Sequence, residues 1–360
     1  MKNKQNNVSF LHLRLALRIV AGRVMRMIHT LMITHQIISP KTFDEIYKEL
    51  EILTGVKLRK VQEGCYSTEA LKEEGFTYIQ LISKKVDGRY KYNFMQMSII
   101  MNPVKLIGMN KLEVIKMDLL EEVKKVFAEK MKKIHTSLPR LDYWTINRID
   151  YAVNINTPYV EEYIKLFQRG DKPRNFKELY CSKSKTRKQL DGSFYLFNDS
   201  VSINFYNKEN ERLSQNFNKD GAKDLLRLEI QCKKPKTNTL KVKYEFDSRH
   251  LAHYLSQEIS HQQLQYYYNK TIGAGDYYKL SEAIRIVQQS NYTSKTKEKL
   301  TGILRAVSRH RSIWKAREES QCNSSCFNRY LKQIRELGVN PVTIPARWKV
   351  NKLINIMSFD

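Results

Sequence analysis

The sequence lacks the cysteine and histidine patterns that commonly hold transition metals. Its 360 residues include five cysteines but no Cys-x-x-Cys pair, and its eight histidines form no His-x-His. The closest cysteines, Cys322 and Cys326, have no second Cys or His pair at zinc spacing. A zinc-finger protein is therefore excluded, the thiols are expected to be reduced, and carboxylates must supply most ligands of any metal site.

Long uncharged apolar runs are also missing. The most apolar early segment, residues 8–28, is interrupted by four arginines, whereas a membrane span needs about 20 predominantly apolar residues. No membrane span is expected. The first 43 residues contain seven Lys or Arg and no Asp or Glu. This composition fits either a targeting or membrane-surface helix, or a basic N-terminal extension over residues 1–26 before a folded domain that opens at Met27.

Acidic residues are scarce relative to basic ones. The chain has 63 Lys and Arg against 37 Asp and Glu, a formal net charge of +26, and the excess is spread along the whole sequence. Such a charge indicates a polyanionic partner, although a solvated lysine-rich surface is the alternative. Hydrophobic residues make up 41% of the chain, enough for a sizeable core and, at this length, for two lobes.

Hydrophobic periodicity predicts an α+β fold: a mainly antiparallel sheet with flanking helices, followed by a helical C-terminal domain. The predicted strands cover residues 27–38, 76–84, 90–101, 144–155, 177–183, 193–198, 200–206 and 224–232. The predicted helices between them cover residues 41–53, 112–135 and 158–168. A loop-rich stretch is expected after Gly55, a turn at Asp87-Gly88 and a hydrophilic loop over residues 207–222.

The predicted domains follow from this order of elements. A basic extension covers residues 1–26, the sheet domain residues 27–235, the helical domain residues 236–345, and a tail residues 346–360.

Three of the predicted strands share one kind of polar face. Strand side chains alternate between the two faces of a sheet, so each strand has one apolar side and one polar side. The polar sides carry Arg148, Asp150 and Asn154 on the first strand, Ser202, Asn204, Tyr206 and Lys208 on the second, and Arg227, Glu229 and Gln231 on the third. An exposed sheet face with weak ion pairs is the alternative interpretation, but such a face has no need of the tyrosine.

This set of side chains fits phosphodiester chemistry. Asp150 and Glu229 would hold Mg²⁺ or Mn²⁺, which prefer oxygen ligands. Arg148 and Arg227 would neutralise charge on phosphate oxygens while Tyr206 attacks phosphorus. A free phenol has a pKa near 10, so a nucleophilic tyrosine needs a cation close by. Lys208, two residues further along the chain, is the predicted source of that cation.

The same strands resemble a known family. "TINRIDYAVNI", "VSINFYNKENER" and "LLRLEIQCKK", in that order and spacing, resemble rolling-circle replication initiators: the plasmid replication-initiation-factor family and the related filamentous-phage gene II proteins. Tyr206 in "FYNKENER" matches the tyrosine that nicks DNA in the plasmid branch. The resemblance covers roughly residues 90–235. "MIHTLMITHQII", "IIMNPVKLIG" and "FNRYLKQIRELGVNPVTIP" are similar to blocks of the phage branch and favour Met27 as the domain start.

The resemblance implies a site-specific, metal-dependent nickase. Tyr206 would cleave one strand at a double-stranded origin, remain joined to the 5′ phosphate, leave a 3′-OH primer and later rejoin the displaced single strand without ATP. Asp150 and Glu229 carry over as metal-binding residues, and Arg212 in the charged segment after Lys208 as a phosphate contact. The implied partners are origin DNA and the host helicase and polymerase in the host cytoplasm, with no membrane.

The sequence departs from the family at the implied metal site. Plasmid members often have a second acid at the position of Asn154, and an acid in the strand before the Asn-Pro turn, where this chain has Ile99 and Ile100. Either Asn154 ligates the metal through its carbonyl oxygen, or two carboxylates and water suffice.

Three further segments have two interpretations each. The tyrosines of the C-terminal region would stack on single-stranded bases or pack in the helical core; they are Tyr266, Tyr267, Tyr268, Tyr277 and Tyr278. The predicted helix over residues 294–317 would lie on a duplex or be solvated. The basic loop over residues 181–192 is expected to contact backbone phosphates.

Two other functions compete with the nickase. A conjugative relaxase of an integrative element would use the same strands, and a DNA-binding regulator would keep this scaffold without catalysis.

Overall fold

A computed structural model describes residues 27–85, 93–109, 112–180, 192–214 and 221–357. The predicted basic extension, the predicted turn at Asp87-Gly88 and nearly all of the predicted basic loop over residues 181–192 lie outside these ranges.

The largest element is a sheet of ten strands in which all neighbours run antiparallel. Its strands are β1 (Met27–Gln36), β2 (Arg59–Gln62), β3 (Cys65–Thr68), β4 (Phe76–Lys85), β5 (Asn93–Met101), β6 (Thr145–Asn156), β7 (Lys177–Glu178), β8 (Ser193–Phe197), β9 (Val201–Asn207) and β10 (Leu225–Lys233). The spatial order is β2-β3-β4-β5-β1-β6-β10-β9-β8-β7. The strands with the polar face, β6, β10 and β9, are therefore neighbours.

Helices flank the sheet and then dominate the C-terminal region, which confirms the predicted fold class. Those within the sheet region are α1 (Pro40–Thr54), α2 (Pro103–Leu106), α3 (Leu120–Ile134), α4 (Val160–Phe167) and α5 (Lys208–Ser214). Those that follow β10 are α6 (Lys234–Lys243), α7 (Gln257–Thr271), α8 (Leu280–Gln288), α9 (Ser294–His310), α10 (Ile313–Glu318) and α11 (Ser324–Glu336). Short strands β11 (Tyr277–Tyr278) and β12 (Lys352–Leu353) pair with each other. None of the helices in the described ranges is long and apolar enough to cross a bilayer.

The first helix illustrates how local sequence sets element boundaries. The side chain of Ser39 caps α1 by accepting a hydrogen bond from the Thr42 N–H at 3.1 Å, and Pro40 occupies the first turn, where its missing N–H costs nothing. The helix ends at Gly55, whose φ of 66° lies in the left-handed region that favours glycine.

Two predicted loops were wrong. The segment after Gly55 contains the β2–β3 hairpin, which the local pattern did not reveal because all four residues of β2 are exposed and show no alternation. The predicted loop over residues 207–222 begins with α5, which the side chain of Asn207 initiates by accepting a hydrogen bond from the Glu209 N–H at 2.9 Å.

Two predicted helices differ at their ends. The helix expected from residue 112 begins at Leu120, because the Ile115 N–H donates to the Ile28 carbonyl at 3.2 Å and ties the preceding segment to β1. The helix expected over residues 294–317 is divided into α9 and α10 at Arg311, whose φ is 53°.

The apolar face of the sheet packs against α4 and the C-terminal helices. The ring of Phe205 on β9 lies 4.8 Å from that of Phe167 on α4 and 6.3 Å from that of Tyr268 on α7, centroid to centroid. The Tyr151 hydroxyl donates to the Tyr254 carbonyl at 3.0 Å. One hydrophobic core thus includes residues of both predicted domains, and the domain boundary at residue 235 stays a prediction. Leu353 of β12, within the predicted tail, is part of this core.

Most of the C-terminal tyrosines contribute to packing. Tyr267 and Tyr268 on α7 and Tyr277 on β11 are buried, as expected for core residues. Tyr266 is exposed on α7, with Lys270 Nζ 4.7 Å from its ring centroid.

Candidate active site

The polar side chains of β6, β10 and β9 lie on one face of the sheet. In the strand register, Arg227 of β10 is opposite Asn154 of β6 on one side and Tyr206 of β9 on the other. Residues that are directly opposite in an antiparallel pair point to the same face, so the alternation places Asp150 and Glu229 there as well. The sheet order therefore brings together side chains that are up to 81 positions apart, from Arg148 to Glu229.

Tyr206 is hydrogen-bonded to one of the predicted metal ligands. Its hydroxyl donates to Glu229 Oε2 at 3.0 Å, and both side chains are buried. Burial raises the pKa of Tyr206 well above its usual value, and the nearby charge of Glu229 adds to this increase while Arg227 opposes it. The phenol is thus protonated at neutral pH. When the Tyr206 oxygen attacks, its proton would pass to Glu229.

Glu229 is held by further contacts at its second oxygen. Gln231 Nε2 donates to Oε1 at 3.2 Å, and His29 Nδ1 lies 3.7 Å from the same atom. Burial alone favours the neutral acid, but the charges of His29 and Arg227 and the bond from Gln231 hold the pKa of Glu229 below its usual range. Burial lowers the pKa of His29 itself, so its imidazole is neutral at pH 7. Arg227 is then the group whose positive charge stabilises the Glu229 carboxylate.

Asp150 has the opposite electrostatic behaviour. It is fully buried, and Arg148 donates from Nε to Oδ1 at 2.8 Å and from Nη2 to Oδ2. Burial and the charge of the adjacent Glu229 together raise the pKa of Asp150 to about 8, against the opposing hydrogen bond and charge of Arg148. The pKa of Asp150 is thus raised while that of Glu229 is lowered, as expected for two carboxyls that share one site. A cation bound between them would replace the proton of Asp150.

Asn154 faces an arginine in this arrangement. Its amide oxygen accepts a hydrogen bond from Arg227 Nε at 2.7 Å, and its amide nitrogen donates to the Leu112 carbonyl at 2.7 Å. Arg227 Nη2 donates to that same carbonyl at 2.7 Å. Asn154 thus orients Arg227, and its role as a metal ligand stays a prediction.

The donor set of this face fits a hard cation only in part. Asp150 and Glu229 supply carboxylate oxygens, which Mg²⁺ and Mn²⁺ prefer. Within the described ranges, no three His, Cys, Asp or Glu side chains form a group that could hold a metal ion. Water and phosphate oxygens would therefore fill the other coordination positions.

One donor of Arg227 is left over. The side chain is fully buried, and its Nη1 has no hydrogen-bond partner among the described residues. Arg227 lies opposite Tyr206 in the register, and its charge is close enough to oppose the rise in the pKa of the Tyr206 phenol. An unpaired buried guanidinium N–H is costly, and a phosphate oxygen would satisfy it.

Lys208 and Arg212 lie on α5, immediately after the tyrosine strand. Lys208 Nζ is 5.7 Å from the centroid of the Tyr206 ring and 2.8 Å from Glu211 Oε2. Burial lowers the pKa of Lys208, and the charge of Arg227 lowers it further. Arg212 is half-buried in the last turn of α5. Lys208 is thus the cation beside Tyr206, with Glu211 as its counter-ion.

His29 is the residue of this face that the sequence analysis missed. Strict alternation in β1 places His29 on the same side as Leu31, which is buried in the core. A β-bulge between Ile28 and Thr30 inserts one extra residue opposite β6, and His29 contacts Glu229 instead. The sequence contains no turn residue or break at this point that would have revealed the bulge.

A shallow groove of about 360 Å³ lies on the same face beside Glu229. Its lining consists of Leu179, Tyr195, Phe197, Ser202, Asn204 and Gln231. Asn204 is opposite Glu229 in the register, so this groove adjoins the candidate site and offers both apolar and polar surface.

Loss of Arg227 should destabilise the protein. We expect Arg227→Met to lower the free energy of unfolding by about 2 to 5 kcal/mol, because Asn154 Oδ1 loses its donor and the Leu112 carbonyl loses a charged one. Urea unfolding measures the change. Arg140→Met, which removes an exposed arginine, should stay within about 0.5 kcal/mol of the wild type. A loss below about 1 kcal/mol for Arg227→Met would contradict the described network.

No family model and no curated protein sequence matches this chain.

Proposed function

We propose that the protein is a rolling-circle DNA replication initiator that nicks one strand at a double-stranded origin. The observation that carries the proposal is the hydrogen bond from Tyr206 to Glu229 at 3.0 Å, on a face shared with Asp150, Arg148 and Arg227. A tyrosine beside a proton acceptor, a pair of carboxyls and two arginines is the composition that attack on a phosphodiester requires. The resemblance of the three strand motifs to replication initiators supports the same assignment.

The cleavage step follows from the contacts of Tyr206. Its oxygen attacks phosphorus as Glu229 accepts the phenolic proton, a new bond forms between the tyrosine oxygen and phosphorus, and the bond from phosphorus to the 3′ oxygen breaks. The departing 3′ oxygen takes up a proton and becomes the 3′-OH primer. Arg148 and Arg227 bind the non-bridging phosphate oxygens, Arg227 through its Nη1, for which no described residue is a hydrogen-bond partner. Lys208 adds positive charge beside the Tyr206 ring.

A divalent cation completes this chemistry. Asp150 and Glu229 would hold Mg²⁺ or Mn²⁺, which supplies further charge neutralisation for the phosphate. The shallow groove beside Glu229, with a volume of about 360 Å³, would accept part of the strand on one side of the cleaved bond.

The covalent link gives the protein its second activity. A 5′-phosphotyrosine bond keeps the energy of the broken phosphodiester, so rejoining of the displaced single strand needs no ATP. The free 3′-OH would be extended by a host polymerase while a host helicase unwinds the duplex, in the cytoplasm of the host cell.

A nicking assay tests the proposal. The purified protein is incubated with supercoiled plasmid that carries the origin of its own replicon, with Mg²⁺, with Mn²⁺ or with EDTA. We expect relaxed plasmid and a covalent protein–DNA adduct with either metal and neither product with EDTA. Absence of both products with every metal would contradict an enzymatic function, and binding without an adduct would indicate a regulator. Cleavage restricted to a transfer origin would indicate a relaxase instead.

A further inference from the structure

A second basic site lies outside the candidate active site, where three segments of the chain meet. Lys165 and Arg169 come from the end of α4, Arg311 from the junction of α9 and α10, and Arg347 with Trp348 from the segment before β12. These side chains, with Gln168, line a pocket of about 260 Å³. The Ile313 N–H donates to the Arg169 carbonyl at 2.9 Å, which fixes two of the three segments relative to each other.

The cations of this basic pocket have no acidic partner. Within the described ranges, none of Lys165, Arg169, Arg311 and Arg347 forms a salt bridge or a side-chain hydrogen bond with an acid. The acid nearest to Arg169 along the chain, Asp171, is bound at 2.9 Å by Arg317, and Glu161, one helical turn before Lys165, accepts hydrogen bonds from Asn207 and Asn210. Burial lowers the pKa of Arg169, and the charges of Arg311 and Arg347 lower it further. Like charges that converge without a counter-ion repel one another, and an anion bound between them would relieve that repulsion.

The backbone at Arg311 supports a role for its side chain. Its φ of 53° is in the left-handed region, which glycine or asparagine adopts more readily than arginine. The structure keeps an arginine at a position where glycine would be less strained. Such strain commonly accompanies a functional side chain.

One tryptophan lines the basic pocket. The chain has three tryptophans, of which Trp144 is fully buried in the core. Trp348 lines the pocket, whereas Trp314, three residues after Arg311 in the chain, has Lys172 Nζ 3.9 Å from its ring centroid. Arginines that converge on one point suit a phosphate group, and an indole ring beside them suits an unpaired base.

We infer that this basic pocket binds a phosphodiester group of single-stranded nucleic acid, with Trp348 stacked on an adjacent base. Gln168 Nε2 donates to the Ser193 carbonyl at 2.9 Å, and Ser193 is paired with Tyr206. The pocket thus lies at the Tyr206 end of the β8–β9 hairpin, on the side of the sheet that α4 covers. The inference that this pocket holds the cleaved strand rests on the proposed function. The inference that it binds single strands does not.

The salt dependence of binding tests the inference. The affinity for a fluorescein-labelled 15-nucleotide thymidine strand is measured in EDTA, which prevents cleavage. Each phosphate contact to a single strand contributes a slope of about −0.7 to log K against log salt. Because both arginines contact the same phosphodiester group, the double variant R311Q/R347Q should make the slope less steep by about 0.7, so that its loss of affinity relative to the wild type shrinks about fivefold when salt is raised tenfold.

A charge-matched variant provides the control. K299Q/R305Q removes two exposed cations from α9, outside the pocket lining, and should leave the slope within about 0.2 of the wild type. Equal changes of slope in the two double variants would overturn the inference, because they would indicate only diffuse charge. Thermal unfolding of both variants verifies that each is folded.

Free anions and duplex DNA are the competing ligands. Tryptophan fluorescence is followed during titration with inorganic phosphate, with ATP, or with the unlabelled strand. We expect quenching by the strand, a smaller quench in Trp348→Phe, and no saturation by phosphate or ATP below the millimolar range. Saturation by micromolar ATP that R311Q/R347Q abolishes would overturn the strand assignment in favour of a free nucleotide. A larger change of slope for duplex than for single strand would overturn it as well.

The nickase proposal and the strand-binding inference can be refuted independently. R311Q/R347Q should still form the Tyr206 adduct at low salt, since none of its substitutions touches the candidate active site. A wild-type protein that binds strands with the expected slope but never forms an adduct would refute the nickase and leave the basic pocket intact.

Discussion

Tyr206→Phe is expected to reduce covalent attachment to DNA below detection while origin binding stays within about threefold of the wild type. Phenylalanine retains the ring that packs on the polar face but lacks the oxygen that bonds to phosphorus. The Tyr206 hydroxyl is the atom that donates to Glu229 at 3.0 Å. Adduct formation is measured on denaturing gels with labelled origin DNA, and binding by fluorescence anisotropy without metal.

Tyr195→Phe is the matched control. Tyr195 of β8 lies on the same face, with its ring centroid 6.3 Å from that of Tyr206. Burial raises its pKa to about 12, and the charges of Glu229 and Glu211 contribute. Tyr195→Phe removes only the hydroxyl and keeps the ring that lines the shallow groove, so it should form the adduct at wild-type yield. Adduct formation by Tyr206→Phe, or its loss in Tyr195→Phe alone, would assign the nucleophile to another residue.

Glu229→Gln is expected to slow nicking about 10²- to 10⁴-fold, the range typical for loss of a general base. The amide still accepts the hydrogen bond of Tyr206 but cannot take its proton, and it is a poorer ligand for a cation. Because the negative charge of Glu229 helps to raise the pKa of Tyr206, that pKa should fall in the variant. If nicking is slower although the Tyr206 phenol is more acidic, Glu229 acts by accepting the proton and not merely by changing the pKa of Tyr206. Single-turnover kinetics with saturating metal measure the rate.

Asp199→Asn controls for the loss of one negative charge. Asp199 is exposed in the turn between β8 and β9, at the end of the hairpin opposite Tyr206. It should nick at the wild-type rate. A rate for Glu229→Gln within about threefold of the wild type would remove Glu229 from the mechanism.

The polar face could be predicted because it depends on simple alternation. In β6, β9 and β10, every second residue is apolar and buried, as Ile203 and Phe205 are beside Tyr206. Only one further condition was needed, that the three strands be neighbours, and the sheet order satisfies it. Arg148, Asp150, Arg227 and Glu229 thus reach one face without any information on loops.

Other parts of the site could not be predicted, since they depend on irregular backbone. The contact of His29 with Glu229 requires a β-bulge, which shifts the alternation by one residue. The Leu112 carbonyl that binds Arg227 belongs to a segment predicted to be helical. Asn154 lies where the alternation predicted, but its hydrogen-bond partners were determined by that same segment.

The central position of β6 and β10 bears on how the protein moves. Each has a hydrogen-bonded strand on both sides, so their amide protons exchange with solvent only through openings that approach global unfolding. Asp150 and Glu229 are attached to this slowly exchanging part of the chain. Tyr206 sits one residue before the end of β9, next to the short helix α5. Local fraying of the β9–α5 junction would therefore move the nucleophile while its acidic partners stay fixed.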